Sequence, residues 1–131
     1  MKNLKIAICL CLCAPPVFAQ MSASEFEAYV KGRTLYYSNG ANAPYGAEIY
    51  LPNRRVRWSF LDGECKDGFW YEENAQICFV YEDNAEPQCW SFERGAGGLT
   101  ATFENDPASS ALYEADDIGE ELLCQGPKVG V

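Results

Sequence analysis

The fold is indicated most clearly by residues 68–104, which read GFWYEENAQICFVYEDNAEPQCWSFERGAGGLTATFE. Short aromatic and β-branched runs recur in this stretch, and turn-forming residues separate them at 73–74, 83–84 and 95–98. Asn, Asp and Gly tolerate the positive φ angles that tight hairpins need. Four antiparallel strands are therefore predicted here, Gly68–Glu72, Gln76–Glu82, Gln88–Glu93 and Leu99–Glu104.

The same rhythm continues on both sides of this stretch. Three earlier runs and one later run have the composition of strands, and Pro52-Asn53 separates the second run from the third. A flat sheet of this width would leave unpaired edges, which a closed barrel removes. We predict a mainly β chain that forms a small antiparallel meander barrel of seven or eight strands. The added strands are Thr34–Ser38, Ala47–Leu51, Arg54–Phe60 and Ala111–Ala115.

Alternation along a strand identifies the side chains that face inward. In Arg54–Phe60 the apolar face carries Val56, Trp58 and Phe60. In Leu99–Glu104 it carries Leu99, Ala101 and Phe103. One face of each strand is therefore predicted to form the core, and the other to meet water.

A short helix is predicted ahead of the first strand. Ser24 and Glu27 have the spacing of a capping box, and apolar side chains follow at helical intervals. The helix is predicted over residues 24–31, and Gly32 is predicted to end it.

The start of the chain has the features of a signal peptide. Lys2 and Lys5 precede a short apolar run, and Ala19 suits cleavage before Gln20. The run is too short to cross a bilayer. Residues 1–19 are thus predicted to be a signal peptide, and residues 20–131 a single domain in the periplasm or outside the cell.

The cysteines predict a disulfide-stapled domain. Three of the seven lie in the predicted leader, and Cys65, Cys78, Cys89 and Cys124 remain. Four cysteines in an exported chain imply two disulfides, with three possible pairings. We prefer Cys78–Cys89, because a two-residue turn at Asp83-Asn84 would set these residues opposite each other. Cys65–Cys124 is then the remaining pair.

One feature of that register argues for an irregular hairpin. The same pairing sets Pro87 opposite Val80, where proline cannot donate a ladder hydrogen bond. A hairpin with a bulge or a looser turn is therefore the alternative to a regular two-residue hairpin.

Charge narrows the classes of partner. The chain has a formal net charge of −9 at pH 7, and loss of Lys2 and Lys5 with the leader would make it more negative. Nucleic acid and anionic membranes are therefore disfavoured as partners, and no membrane insertion is predicted after cleavage. The acidic tail over 116–131 is predicted to be solvated, with a short helix around Ile118, Leu122 and Leu123.

No catalytic or metal-binding arrangement stands out. The chain has no histidine, which excludes Ser/His/Asp and Cys/His arrangements within it, and the cysteines show no Cys-x-x-Cys spacing. No cofactor is predicted. Glu48, Glu72 and Glu93 lie in predicted strands and could serve a carboxylate-dependent hydrolase. Their spacing does not single them out, and we expect them to be ordinary solvated carboxylates.

The candidate ligand-binding residues are Arg54, Arg55, Arg57 and Trp58, in the one basic concentration of the chain. Arg55 and Arg57 share a strand face and could form a fork for a carboxylate or phosphate. The alternative, which we favour, is that they pair across strands with Glu48 or with carboxylates of the Gly68–Glu72 strand.

Aromatic side chains are abundant, and they have two possible roles in a barrel. They either fill the interior or line a pocket for a small ligand. For a barrel of such short strands we expect a packed interior.

Several short motifs resemble a set of small exported alphaproteobacterial proteins of unknown function. The motifs are Gly32-Arg33-Thr34, Asp62-Gly63, Gly68-Phe69-Trp70, Ile77-Cys78-Phe79 and Cys89-Trp90. The resemblance covers about residues 32–93, and it implies a lipocalin-like or streptavidin-like small barrel with a Cys78–Cys89 disulfide. It implies no activity. The G-x-W element is also similar to one in small periplasmic inhibitors of metalloproteases, which is an analogy of fold.

These observations favour a non-enzymatic secreted binding or interaction domain for a small ligand or a protein. The alternative is an inhibitor of a secreted protease, with the segment Met21–Lys31 or a loop plugging the protease active site. A carboxylate-dependent hydrolase ranks last.

Overall fold

The computed structural model describes residues 13–14, 19–42, 44–117 and Cys124. Most of the predicted leader, and the helix predicted around Ile118, Leu122 and Leu123, lie outside these residues.

Eight antiparallel strands form a closed barrel. Each strand pairs with the next along the chain, and the last returns to the first, with Tyr37 opposite Glu114. Together with one helix and two disulfides, this confirms the predicted fold class. The strands are β1 Thr34–Ser38, β2 Gly46–Tyr50, β3 Arg55–Ser59, β4 Lys66–Glu73, β5 Gln76–Tyr81, β6 Asn84–Gly95, β7 Gly98–Phe103 and β8 Leu112–Ala115.

The helix, α1, spans Ala23–Val30, and its N-cap lies two residues before the predicted cap, Ser24. Ser22 is the N-cap, and it forms a complete capping box with Glu25. The prediction of Ser24 as cap was wrong because both serines have an acid three residues later. The earlier start places Met21 before the cap and Phe26 at the fourth helical position, where the two can form a hydrophobic staple. Both are buried in the core.

Helix α1 closes one end of the barrel by inserting one aromatic side chain, Phe26. Phe26 is fully buried and lies among inward-facing rings of four strands. Its ring centroid is 5.7 Å from that of Tyr50, 5.2 Å from Trp70, 6.4 Å from Phe79 and 4.4 Å from Phe92. Three of these contacts are edge-to-face, a favoured arrangement of aromatic pairs. Phe26 and these neighbours form what we call the floor of the barrel.

Polar contacts hold α1 against strands β7 and β8. The Tyr29 hydroxyl donates to Glu114 Oε2 at 2.7 Å, and the Leu99 amide donates to the same oxygen at 2.8 Å. Glu114 also forms an ion pair with Arg33 at 3.5 Å. Gly98 has a φ of 107°, and a Cβ there would collide with the Glu114 side chain. The helix and the end of the sheet therefore meet at one carboxylate.

The β5–β6 hairpin differs from its predicted form near the turn. Tyr81 pairs with Asn84, so the turn residues are Glu82 and Asp83 rather than Asp83 and Asn84. The register then shifts between Phe79 and Tyr81, at the position where Pro87 would otherwise face Val80. The irregular hairpin that the proline argument left open is therefore present. Beyond the shift, Cys78 lies opposite Cys89.

The two disulfides are the pairs that the sequence analysis preferred. Cys78–Cys89 joins neighbouring strands β5 and β6, and its Cys78 side is fully buried. Cys65–Cys124 joins the residue before β4 to the C-terminal tail. A bridge that closes a long loop restricts the unfolded chain more than one that closes a short loop. The first therefore fixes a local register, and the second ties the tail to the barrel.

The inward-facing side chains of β3 become more exposed to solvent towards the end of the strand. Val56 is buried, Trp58 is partly buried, and Phe60, just past the strand, is 44% exposed. The predicted apolar face is thus correct for the strand itself, but its last member does not belong to the core. Phe60 lies at the end of the barrel opposite α1, where the interior opens.

Phe26→Ala tests whether the floor depends on one ring. We expect it to lower the free energy of unfolding by about 3–5 kcal/mol, because a large buried ring is replaced by a cavity. The measurement is urea denaturation followed by far-ultraviolet circular dichroism.

Phe69→Ala is the matched control, because Phe69 is 46% exposed on the barrel surface. It should cost less than about 1 kcal/mol. An equal loss of unfolding free energy in the two variants would contradict the conclusion that the floor of the barrel depends on the Phe26 ring.

Candidate functional site

The interior of the barrel is hollow at the end opposite α1. A cavity of about 460 Å³ extends from the floor to the loops that join β1–β2, β3–β4, β5–β6 and β7–β8. Tyr50, Phe79 and Phe92 contact Phe26 on one side and line the cavity on the other. The volume lies in the range of pockets that hold small-molecule ligands. The expectation of a packed interior is therefore correct only for the α1 end.

Half of the residues that line the cavity are aromatic. Near the mouth, Trp58 lies between two other rings, with centroids 6.3 Å from Tyr45 and 5.4 Å from Phe60. Across the cavity, Trp90 and Phe103 pack at 4.8 Å. In a small barrel such rings usually interlock across the interior. In this barrel the rings instead surround the cavity, and their apolar surfaces form its wall.

A single carboxyl group lies inside this aromatic wall. Glu48 is in β2, and only 2% of its surface is exposed. It pairs in register with Trp58 of β3 and with Leu35 of β1, both of which face the interior. The backbone of β2 therefore fixes the Glu48 side chain on the inner side of the barrel.

Glu48 is only half satisfied by hydrogen bonds. The Tyr81 hydroxyl donates to Glu48 Oε1 at 2.9 Å. Glu48 Oε2 is buried and has no hydrogen-bond partner within the described residues. Burial raises the pKa of Glu48 well above its usual range, and the Tyr81 bond only partly opposes this. A buried polar atom without a partner costs stability, so such atoms are rare in folded proteins.

Two further hydroxyl groups add polarity near the floor. The Tyr37 and Tyr50 hydroxyls are 2.9 Å apart and buried. Burial raises the pKa of Tyr37, Tyr50 and Tyr81, so these phenols stay neutral throughout the physiological range. Glu48 is therefore the ionisable group of this interior layer whose charge can respond to a ligand.

The location of Glu48 corrects two expectations. It is neither a solvated carboxylate nor a partner of the arginines, because it faces inward while Arg57 faces outward. A two-residue turn at Pro52-Asn53 would set Glu48 opposite Arg57. The loop instead contains a 3₁₀ turn over Pro52–Arg54, and Glu48 lies opposite Trp58. A register change of one residue moves a side chain to the other face of the sheet.

Arg57 is engaged with a neighbouring strand rather than free to bind an anion. Its Nε lies 2.6 Å from Asp67 Oδ1, and its Nη2 lies 3.2 Å from Asp67 Oδ2, a two-point contact between β3 and β4. These hydrogen bonds and the guanidinium charge hold the pKa of Asp67 below its usual value, with a smaller contribution from the charge of Arg55. Arg57 therefore pairs across strands, as the alternative expected, but its partner is Asp67, one residue before the predicted Gly68–Glu72 strand, and not Glu48 or a carboxylate of that strand.

The other candidate residues lie in three different places. Arg54 forms an ion pair with Glu27 of α1 at 3.2 Å, and its guanidinium lies 4.3 Å from the Trp70 ring centroid, at the closed end of the barrel. Arg55 is exposed on the outer surface. Trp58 alone of the four lines the cavity. The structure therefore does not bring the three arginines together with Trp58.

The other two candidate carboxylates do not combine with Glu48. Glu72 and Glu93 are exposed, and neither lines the cavity. A glycosidase-type mechanism needs two carboxyl groups across one substrate bond. Chemically, the arrangement around Glu48 can accept or donate one hydrogen bond, exchange one proton, or balance one positive charge.

Comparison with known proteins found no matching family model, no similar curated protein and no similar solved structure. Among the residues that the structure describes, no group of three or more His, Cys, Asp or Glu side chains could hold a metal ion. No helix within the same residues has the length and hydropathy needed to cross a membrane.

Glu48 is expected to make stability depend on pH. The folded protein retains the Glu48 proton at pH values where an ordinary glutamate, with a pKa of 4.5, has lost it. The contribution of Glu48 to the free energy of unfolding is therefore fully present below that ordinary pKa and is lost as the pH rises through the raised pKa. Urea denaturation at a series of pH values should show this loss, and Glu48→Gln, which cannot ionise, should remove the contribution.

Glu93→Gln is the control for this measurement, because Glu93 is exposed and follows the inward-facing Phe92 on β6. Its pH dependence should match that of the wild-type protein. A Glu48→Gln variant with the same pH dependence as the wild type would show that Glu48 ionises as readily in the folded as in the unfolded chain.

Proposed function

We propose that this protein is a non-enzymatic binding domain that holds a small ligand in the open half of its barrel. The observation that carries the proposal is Glu48 Oε2, a buried carboxyl oxygen without a partner in the described structure, in the wall of an aromatic cavity. A ligand that satisfies this oxygen would offset its desolvation cost.

The shape and composition of the cavity support the same function. Binding pockets are typically concave and mostly apolar, with a few polar groups that fix the orientation of the ligand. Here aromatic rings supply the apolar surface, and Glu48 with its neighbouring phenols supplies the polar groups. Phe26 seals the floor, so the ligand would enter between the loops at the other end.

The cellular setting belongs to the same proposal. Two disulfides suit an oxidising compartment, which agrees with export to the periplasm or beyond. Signal-peptide cleavage before Gln20 and membership among small exported alphaproteobacterial proteins stay predictions. The lipocalin-like comparison is consistent with a closed eight-stranded barrel that has a cavity at one end.

The inhibitor alternative receives less support in one of its two forms. If the segment Met21–Lys31 plugged a protease, its apolar side chains would have to be accessible. Met21, Phe26 and Val30 are instead buried in this barrel. A loop-based inhibitor remains the alternative, and a binding assay that shows an empty barrel would favour it.

Ala101→Phe tests the cavity as the binding site. Ala101 is 1% exposed and lines the cavity, so a phenyl ring at this position would occupy the space of the ligand. We expect the wild-type protein to bind the uncharged fluorescent probe N-phenyl-1-naphthylamine with one-to-one stoichiometry. The variant should bind it at least about tenfold more weakly, a change of 1.4 kcal/mol.

Thr102→Phe is the matched control, because it adds the same ring at the next position of β7, on the outer side. It should bind the probe as the wild type does. Thermal unfolding of both variants checks that they fold. No saturable binding of the probe by the wild-type protein, together with no co-purifying small molecule in native mass spectrometry, would overturn the proposed function.

A further inference from the structure

Of the charged side chains that line the cavity, two form an ion pair and the third has no oppositely charged partner. Glu48, Lys66 and Asp83 are the charged residues that line it. Lys66 Nζ lies 2.6 Å from Asp83 Oδ2 at the mouth, so these two compensate each other. Glu48 is far more buried than this ion pair, and the Tyr81 hydroxyl is its one hydrogen-bond donor among the described residues. Within the described residues, the protein therefore supplies no positive group that could balance an ionised Glu48.

The aromatic rings around the cavity also favour a positively charged ligand. The face of an aromatic ring carries negative electrostatic potential and attracts a cation within about 6 Å of its centroid. This barrel already uses such contacts elsewhere, with Arg33 4.6 Å from the centroid of Tyr29 and Arg54 4.3 Å from that of Trp70. At the mouth of the cavity, Lys66 Nζ lies 5.5 Å from the ring centroid of Phe60. Over the rings of Trp58 and Trp90, by contrast, no lysine or arginine of the described residues lies.

We infer that the ligand of the cavity is a small organic cation, with its ammonium group beside Glu48 and its carbon groups against the aromatic wall. This inference rests on the proposed function and specifies its ligand class. The net charge of −9 adds support from longer range, because it would attract cations and repel anions at the barrel mouth.

Binding of the cation then replaces the proton that Glu48 holds in the empty barrel. In the empty barrel, Glu48 holds a proton to higher pH than an exposed glutamate does. When the cation enters, this proton passes to solvent, and the carboxylate and the ammonium form a neutral pair. The titratable groups that face Glu48 from β1, β2 and β5 are Tyr37, Tyr50 and Tyr81, and these phenols stay neutral. Affinity for a permanently charged cation should therefore rise with pH, with up to one proton released for each ligand bound.

The test compares two ligands of the same shape and different charge. Benzyltrimethylammonium and neopentylbenzene differ by a nitrogen in place of a carbon, so only the first is a cation. We expect the cation to displace N-phenyl-1-naphthylamine from the wild-type protein at a concentration at least about tenfold lower than its isostere, given the size of cation–π and ion-pair contributions in desolvated sites. Glu48→Gln should reduce the difference to less than about threefold, and Glu93→Gln should leave it unchanged.

The outcomes separate this inference from the proposed function. If the probe binds and the uncharged isostere displaces it as well as or better than the cation, or neither displaces it, the cation assignment is overturned and the binding function stands. If the probe does not bind and native mass spectrometry finds no co-purifying small molecule, the proposed function fails, and this inference fails with it. A preference for the cation that survives Glu48→Gln would also overturn the role of Glu48. A rise in cation affinity with pH that disappears in Glu48→Gln would support it.

Discussion

The insertion of Phe26 into one end of the barrel determines how the rest of the interior is used. A barrel of eight short strands has about enough internal space for its own side chains. The helix supplies a ring that packs against Tyr50, Trp70, Phe79 and Phe92, and this contact completes the core without help from the other half. The aromatic residues nearer the open end are therefore not needed to fill space. They can stand apart and form the wall of a cavity.

Charge is arranged in opposite ways on the two sides of the sheet. On the outside, basic and acidic groups are adjacent, as in the Arg57–Asp67 contact, and water can screen them. Inside, Glu48 accepts a hydrogen bond from the Tyr81 phenol, and no lysine or arginine of the described residues forms an ion pair with it. A buried carboxyl without a counter-charge destabilises the empty protein. Under the proposed function, a ligand in the open space beside Glu48 would offset part of this destabilisation.

The sequence predicted the barrel more completely than the site. Thr34–Ser38 was predicted at its observed bounds, because Gly32 was predicted to end the preceding helix and the strand-like composition begins just after it. Cys78 and Cys89 were placed opposite each other, since the hairpin between them is short. The location of Glu48 depended on loop geometry that composition does not reveal, because one additional residue in the β2–β3 loop decides which face it occupies. The half-hollow interior was missed for a related reason, since residue types alone do not show that Phe26 fills one end.

The place of α1 in the chain has a consequence for folding. The helix precedes all eight strands, whereas the rings that surround Phe26 come from β2, β4, β5 and β6. Contacts between such distant parts of a chain form slowly, and a lone helix of eight residues is too short to be stable in water. The helix therefore gains its stability only when the sheet has curled around its ring. The closed end of the cavity therefore forms only when helix and sheet are both in place, so a partly folded chain would lack the floor of the barrel.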